Sequence, residues 1–438
     1  MSRFYEDLLP EFIAFKSIST DLAYQADCVA TADWLVQLFT QHGFAATSWP
    51  GTRTNPTVFA SYTVDSSLPT ILVYGHYDVQ PADQTDGWED DPFVVRETPT
   101  HYYARGIVDN KGQVLVHIAT VLEHIEAETL GYNVKFLLEG NEESGNDELP
   151  VLLKQYKDEL VADAVLVSDG QLLGQTPFIE RSFRGGGNVR VKLTTAANDL
   201  HSGIYGGAVP SAAETLAQLL ADLHDGGNLV TVPGFYDGVP EVTEEIRQTH
   251  QTILDDATAA AGAGVSQLLS PDSTDFLSQT GLRPALLISG FASGYVGPGF
   301  KNIVPASAEV RINVRTVPGQ NTAEILELVS AYLKENTPRY ATIEIESESH
   351  GDPIELTSDH PLFAKVERLL GDTFGTAPLS HYVGGSIPII ADLQHILQKP
   401  IISIPLANED CSMHGVEENF SKEMVANGLA FSRAFWRA

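Results

Sequence analysis

Polar and apolar positions follow two different rhythms along the chain. In the first part, TILVYG at 70–75, NVKFLLEG at 133–140 and AVLVSDG at 164–170 are β-rich apolar runs separated by helical patterns. Nearly continuous apolar strands alternating with helices predict a mostly parallel sheet covered on both faces. In GQVLVHIATVLEHI (112–125), Val114, Ile118, Val121, Leu122 and Ile125 recur at helical spacing. That predicts a crossover helix with one apolar stripe, on which His117 and His124 are packing or surface residues. After FRGGGN (183–188) the rhythm changes: VRVKLTT, PALLISGF, SAEVRINVRTV and ATIEIES read as strands, PSAAETLAQLLADL and TAEILELVSAYLKE as helices. Their order, β-α-β-β-α-β, is that of a split, ferredoxin-like unit. Residues 225–284 interrupt it with helical and polar material that the pattern does not assign. From HPLFAKVERLLGDTFG onward the alternation resumes, and PIISIPLANED predicts one more buried strand ending in a polar loop. The expected fold is an α/β domain built from 1–185 and 356–438, with a smaller α+β domain, 186–355, inserted in it.

Length supports the division, since 438 residues exceed what one hydrophobic core usually serves. A formal charge of −32 would repel nucleic acid and anionic membrane surfaces, so neither is expected as a partner. No run approaches the roughly 18 apolar residues of a membrane span, and MSRFYEDLLPEF has no basic region followed by an apolar core. Two cysteines, Cys28 and Cys411, are too few for a disulfide framework or a four-thiolate metal site. A cytoplasmic location is expected. Cys411 reads as a small loop or core residue, because no thiolate-activating partner is evident.

The chemistry gathers where strands end. Open parallel sheets place ligand sites beyond the C-terminal ends of their strands. His76 and Asp78 follow the first run, Glu142 and Glu143 the second, Asp169 the third and His414 the last, while Asp109 stands just before the crossover helix. Two histidines and several carboxylates suit zinc, cobalt or manganese. The inference is a site of two ions, roughly 3.5–4 Å apart, sharing a carboxylate and a water that becomes the nucleophile. Such a pair also explains the adjacent glutamates of LLEGNEESGND: one is held ionised as a ligand while the other takes a proton from the water. Asp78, two residues from His76, is the candidate to orient its ring.

The stretches YGHYDVQP, ARGIVDNKG, LLEGNEESG, SDG, DLHSGIYGG, RINVRTVPG, GGSIP and MHGVEE span nearly the whole chain. Together they resemble the co-catalytic di-zinc metallopeptidase family of dipeptidases, aminoacylases and glutamate carboxypeptidases. The resemblance implies a zinc-peptidase catalytic domain with an inserted lid and dimerisation domain. It also implies His76, Asp109 and Asp169 on one metal, Asp109 bridging, Glu143 and His414 on the other, and Glu142 as general base and then general acid. The Asp109–Asn110 peptide would be cis. His201 would cross into the partner subunit's site to stabilise the oxyanion, which implies a homodimer; donors of that kind are worth about 3–4 kcal/mol. Arg315 would pair with the substrate's carboxylate, and Ser386 with the backbone around Gly385 would line the same end. On the residues alone, His201 also suits a local backbone cap, Arg315 a surface ion pair and Gly384–Gly385 a plain turn. HSGIYGGAV lacks the lysine-serine or lysine-threonine of a phosphate loop.

The activity expected is hydrolysis of dipeptides or short peptides. An N-acyl-amino-acid deacylase, of the acetylornithine deacetylase or succinyl-diaminopimelate desuccinylase type, is the alternative, and a catalytically silent metal-binding protein is a third reading. Retention of Glu142 argues against the last, since a purely structural ion has little use for an unligated carboxylate beside it.

Overall fold

The computed structural model describes residues 2–174, 176–269, 271–356, 360–385 and 387–437. The chain forms two compact units, Met1–Arg181 with Leu356–His381 and Asp392–Ala438, and Ser182–Glu355 with Tyr382–Ala391.

In the first unit the strands lie in the order Ala45–Trp49, Thr57–Tyr62, Asn133–Glu139, Thr70–His76, Ala164–Val167, Ile401–Ser403 and Phe178–Phe183. The four from Asn133–Glu139 to Ile401–Ser403 run parallel, and antiparallel pairings flank them. Ile71 to His76 are all buried, as a strand covered on both faces requires. The crossover helix Lys111–Glu126 packs against the helices Arg3–Ala14 and Lys422–Trp436. Instead of one apolar stripe it is buried from Lys111 through Leu122. Its polar side chains survive burial because each is paired: Gln113 donates to the Val108 carbonyl, and the His117 ring lies between the hydroxyls of Ser432 and Ser168. Cys411 is buried, its thiol donating to Gln171. A small sheet that the pattern did not suggest joins Arg96–Glu97, His101–Tyr103 and Asn419–Ser421.

The second unit is built on an antiparallel sheet ordered Ala285–Ser293, Ser307–Thr316, Gly185–Thr194 and Thr342–Gly351. Helices Ala212–Ala221 and Thr322–Asn336 cover one face, where Val189, Val191, Val310, Ile312 and Val314 are buried. Alternating burial along Ser307–Thr316 reflects that one-sided cover. The stretch left unassigned by pattern holds helices Glu244–Ile253, Asp256–Gly262 and Phe276–Gly281. Buried His250 fastens the first of these to the last, its Nδ1 lying 3.1 Å from Asp275 Oδ1 and 3.0 Å from Ser278 Oγ.

Residues 382–391 depart from the expected boundaries by falling in the second unit. Arg184 N donates to the Gly385 carbonyl over 3.1 Å, and Gly281 sits so close to the Tyr382 carbonyl that a Cβ there would meet it at 2.1 Å. These backbone contacts arise only in three dimensions. No helix among the described residues is long and apolar enough to cross a membrane.

Candidate metal centre

Within the first unit, parallel register brings the strand ends to one rim: His76 stands beside Glu139 and Tyr74 beside Val167. Glu142–Ser144 is a single helical turn after one of these strands, and Asp109 precedes the helix Lys111–Glu126. His76 Nε2 lies 3.0 Å from Asp109 Oδ1 and 3.6 Å from Asp169 Oδ2. On the other side, His414 Nε2 lies 2.7 Å from Asp109 Oδ2 and 3.2 Å from Glu143 Oε2. The ligand atoms of His76, Asp109 and Asp169 all fall within 4.8 Å of one another, as do those of Asp109, Glu143 and His414. Asp109 belongs to both groups and turns one oxygen to each, the disposition of a carboxylate shared by two cations. The Asp109–Asn110 peptide is cis.

Do these residues fit divalent ions? Each imidazole Nε2 faces carboxylate oxygens, so positive charge must sit on it or beside it. Burial alone would pull the His76 pKa down, but hydrogen bonds to Asp109, Asp169 and Asp78 hold it well above the usual value. Hydrogen bonds to Asp109 and Glu143 push His414 up to about 10. Burial raises Asp109, yet the two imidazoles outweigh it and hold its carboxyl below the usual carboxylate range. Burial pushes Asp169 up. Glu143 Oε1 is buried with no hydrogen-bond partner. A buried acceptor left bare costs about 1–3 kcal/mol, more when charged, and a cation ligand would meet that need. The donor set of imidazoles and carboxylates, without thiolate, suits two divalent ions.

Glu142 is a member of neither group. Burial pushes its carboxyl well above the usual range, with Asp169 and Asp109 adding to the effect against His76. Asp78 does more than orient a ring. Its backbone carbonyl is the nearer partner of His76 Nδ1, at 3.0 Å against 3.4 Å for its Oδ1. The carboxylate instead accepts the backbone N–H groups of Glu142 and Glu143, both at 3.1 Å. One side chain therefore fixes the turn that carries Glu142 and Glu143 together.

Three supports escaped the sequence reading. Gln80 Nε2 donates to Glu143 Oε2 over 2.8 Å. Asn110 accepts from His76 N over 3.4 Å and donates to the Ser168 carbonyl over 2.7 Å, joining the segments of His76, Asp109 and Asp169. Glu418, fully buried, accepts from Arg105 and from the backbone of Gly106, Val108 and Asp109. Each lies in a stretch that carries the family resemblance, close in sequence to a candidate ligand, but neither signal says which neighbour turns inward.

His201, Arg315 and Gly385 lie in the second unit, and Ser386 falls outside the described residues. His201 is exposed, and its Nδ1 accepts from Gly203 N over 3.0 Å. Arg315 stands opposite Gly186 in the sheet.

Comparison with known proteins agrees with this geometry. The human Beta-Ala-His dipeptidase is 31% identical over 391 residues, covering 87% of this chain and 77% of its own. The Candida albicans Cys-Gly metallodipeptidase is 29% identical, covering 97% of this chain and 93% of its own. A crystal structure of an M20 family metallo-carboxypeptidase from Sulfolobus solfataricus superposes with a TM-score of 0.86 at 26% identity, covering 100% of this chain and 99% of that one. The model of peptidase family M20/M25/M40 matches residues 72–438. With four candidate ligands converging about a shared aspartate and a further carboxylate, Glu142, beside them and outside both groups, the chain belongs to peptidase family M20/M25/M40.

Proposed function

We propose that this chain is a two-metal dipeptidase, with zinc as the resident ion. The observation that carries the reading is Asp109 shared between two imidazole-carboxylate groups, with Glu142 beside them and outside both. Divalent ions held by His76, Asp109, Asp169, Glu143 and His414 would supply Lewis-acid polarisation of the scissile carbonyl and acidify the attacking water. Glu142 receives the proton of the attacking water and returns it to the leaving amine. Asp78 and Gln80 hold the turn so that Glu143 serves as ligand while Glu142 stays free.

The second unit supplies what the first lacks. Because His201 Nδ1 accepts a backbone N–H, the neutral ring carries its proton on Nε2, a donor suited to a developing oxyanion. Arg315 offers a planar guanidinium to the substrate's terminal carboxylate. The active form is a homodimer. Strand Ala285–Ser293 forms one edge of its sheet and exposes Leu287, Ile288 and Phe291, whereas the opposite edge, Thr342–Gly351, is guarded by Glu344, Glu346 and Glu348. A second copy of this chain covers the unguarded edge. Two buried thiols without a disulfide accord with a cytoplasmic location.

The named relatives are peptidases, which favours a peptide bond over an N-acyl group. Turnover of simple dipeptides against N-acetyl and N-succinyl amino acids tests this. Hydrolysis confined to the acylated amino acids would defeat the dipeptidase reading.

A further inference from the structure

Two guanidinium groups share a pocket in the second unit and, among the described residues, make no ion pair, in a chain with 58 acidic side chains against 26 lysines and arginines. The pocket holds about 220 Å³, and its walls include Arg184, Arg315, Asn313, His350, Ile354 and Ile387. Among the described residues, neither arginine forms an ion pair. Arg184 makes one side-chain hydrogen bond, Nε to the Gly384 carbonyl over 2.8 Å. Asp352 also lines the pocket, but its oxygens are engaged by Thr322 N at 2.7 Å and Asn321 Nδ2 at 3.2 Å, at the start of helix Thr322–Asn336.

Bare backbone makes the room. Arg184 Nη2 is 3.3 Å from where a Cβ on Gly384 would stand, and Arg315 Cδ is 3.3 Å from where one on Gly186 would stand. A Cβ at Gly384 would crowd the Arg184 guanidinium and the Thr280 carbonyl, and one at Gly186 the stem of Arg315 and the Val314 carbonyl. Burial, and then the charge of Arg315, pull the Arg184 pKa down to about 10. Like charges held together in a partly buried pocket are unfavourable until an anion enters, and a guanidinium fork matches a carboxylate.

We propose that Arg184 and Arg315 together form a two-carboxylate pocket for an acidic C-terminal residue, so that the preferred dipeptides end in glutamate or aspartate. The word dipeptide rests on the function proposed above; the charge and size rest on the pocket. Its volume is below the roughly 300–1,000 Å³ of sites for drug-sized ligands, which suits a single residue. Ile354 and Ile387 give the methylene stem an apolar wall, and each guanidinium can take one carboxylate in its fork.

The test compares Ala-Glu with Ala-Gln, equal in shape and unequal in charge, on the zinc-loaded enzyme. The expected result is a kcat/KM for Ala-Glu greater by about tenfold or more, expressed mainly in KM. Arg184→Met should abolish the ratio and Arg184→Lys should retain part of it. Calorimetric titration of free L-glutamate against L-glutamine into the unaltered enzyme reads the pocket without turnover or mutation, and glutamate should bind more tightly. Equal turnover of the two dipeptides together with equal binding of the two amino acids overturns the proposal. Selective binding of glutamate by an enzyme that cleaves no dipeptide would sustain the pocket and defeat the dipeptidase reading.

Discussion

Replacing Glu418 with glutamine removes one charge from the interior and leaves the shape nearly unchanged. Oε1 of Glu418 accepts from Val108 N at 2.9 Å and Asp109 N at 3.2 Å; Oε2 accepts from Arg105 Nη1 at 2.7 Å and Gly106 N at 3.0 Å. An amide nitrogen cannot accept, so whichever way glutamine turns, two donors lose their acceptor. Arg105, only 4% exposed, also loses its counter-charge. Removing one partner of a buried ion pair costs about 3–5 kcal/mol. Arg105 Nη2 further donates to the carbonyls of His414 and Gly415, at 3.2 and 3.1 Å, so the damage reaches candidate ligands of both groups through Asp109 and His414. Part of the cost should therefore appear as weaker ion binding, tenfold for each 1.4 kcal/mol. Urea unfolding of the metal-free variant and calorimetric zinc titration measure the two parts. If both quantities lie within about 1 kcal/mol of the unaltered protein, the reasoning from this buried carboxylate is wrong.

Three further outcomes are expected. Glu142→Gln should lower kcat by about 10²–10⁴ while two ions per chain are retained, measured by steady-state kinetics alongside elemental analysis; unchanged turnover removes Glu142 from the mechanism. Chelation should abolish activity and lower the melting temperature, with zinc restoring both, since a ligand at a thousand times its Kd adds about 4 kcal/mol per site. Burial pulls His117 down to about 3, whereas an unfolded histidine titrates near 6.5. Between those values the unfolded chain holds a proton that the native state lacks, so stability is lost as pH falls through that window. The slope is at most about 1.4 kcal/mol per pH unit from this residue. Urea midpoints from pH 7.5 down to 4.5 should fall less steeply for His117→Gln.

Strand ends were legible because each parallel strand is a closed apolar run, and the first polar residues beyond it mark the rim of the sheet. His76, Asp169 and the Glu142–Glu143 pair stand out for that reason. Helix Lys111–Glu126 was legible as a helix, not in its surroundings. Gln113 and Thr120 look like solvent-facing positions, but Gln113 accepts from Leu406 N over 2.8 Å, and Thr120 meets the Ser432 hydroxyl at 2.6 Å. Burial on every side depends on which helices arrive from distant sequence. Glu418 was indistinct from Glu417, and only the fold sends one inward to Arg105 while the other pairs with Arg96. The helices between 225 and 284 gave no pattern because their anchor, His250 with Asp275 and Ser278, joins residues 25 and 28 positions apart.

The central claim is that Asp109 is shared by two cations. Crystals of the zinc-loaded protein, with anomalous diffraction recorded on either side of the zinc edge, test it most directly. Two peaks per chain are predicted, one among His76, Asp109 and Asp169 and the other among Asp109, Glu143 and His414, with Glu142 touching neither ion. A single peak, or two without Asp109 between them, would contradict the account.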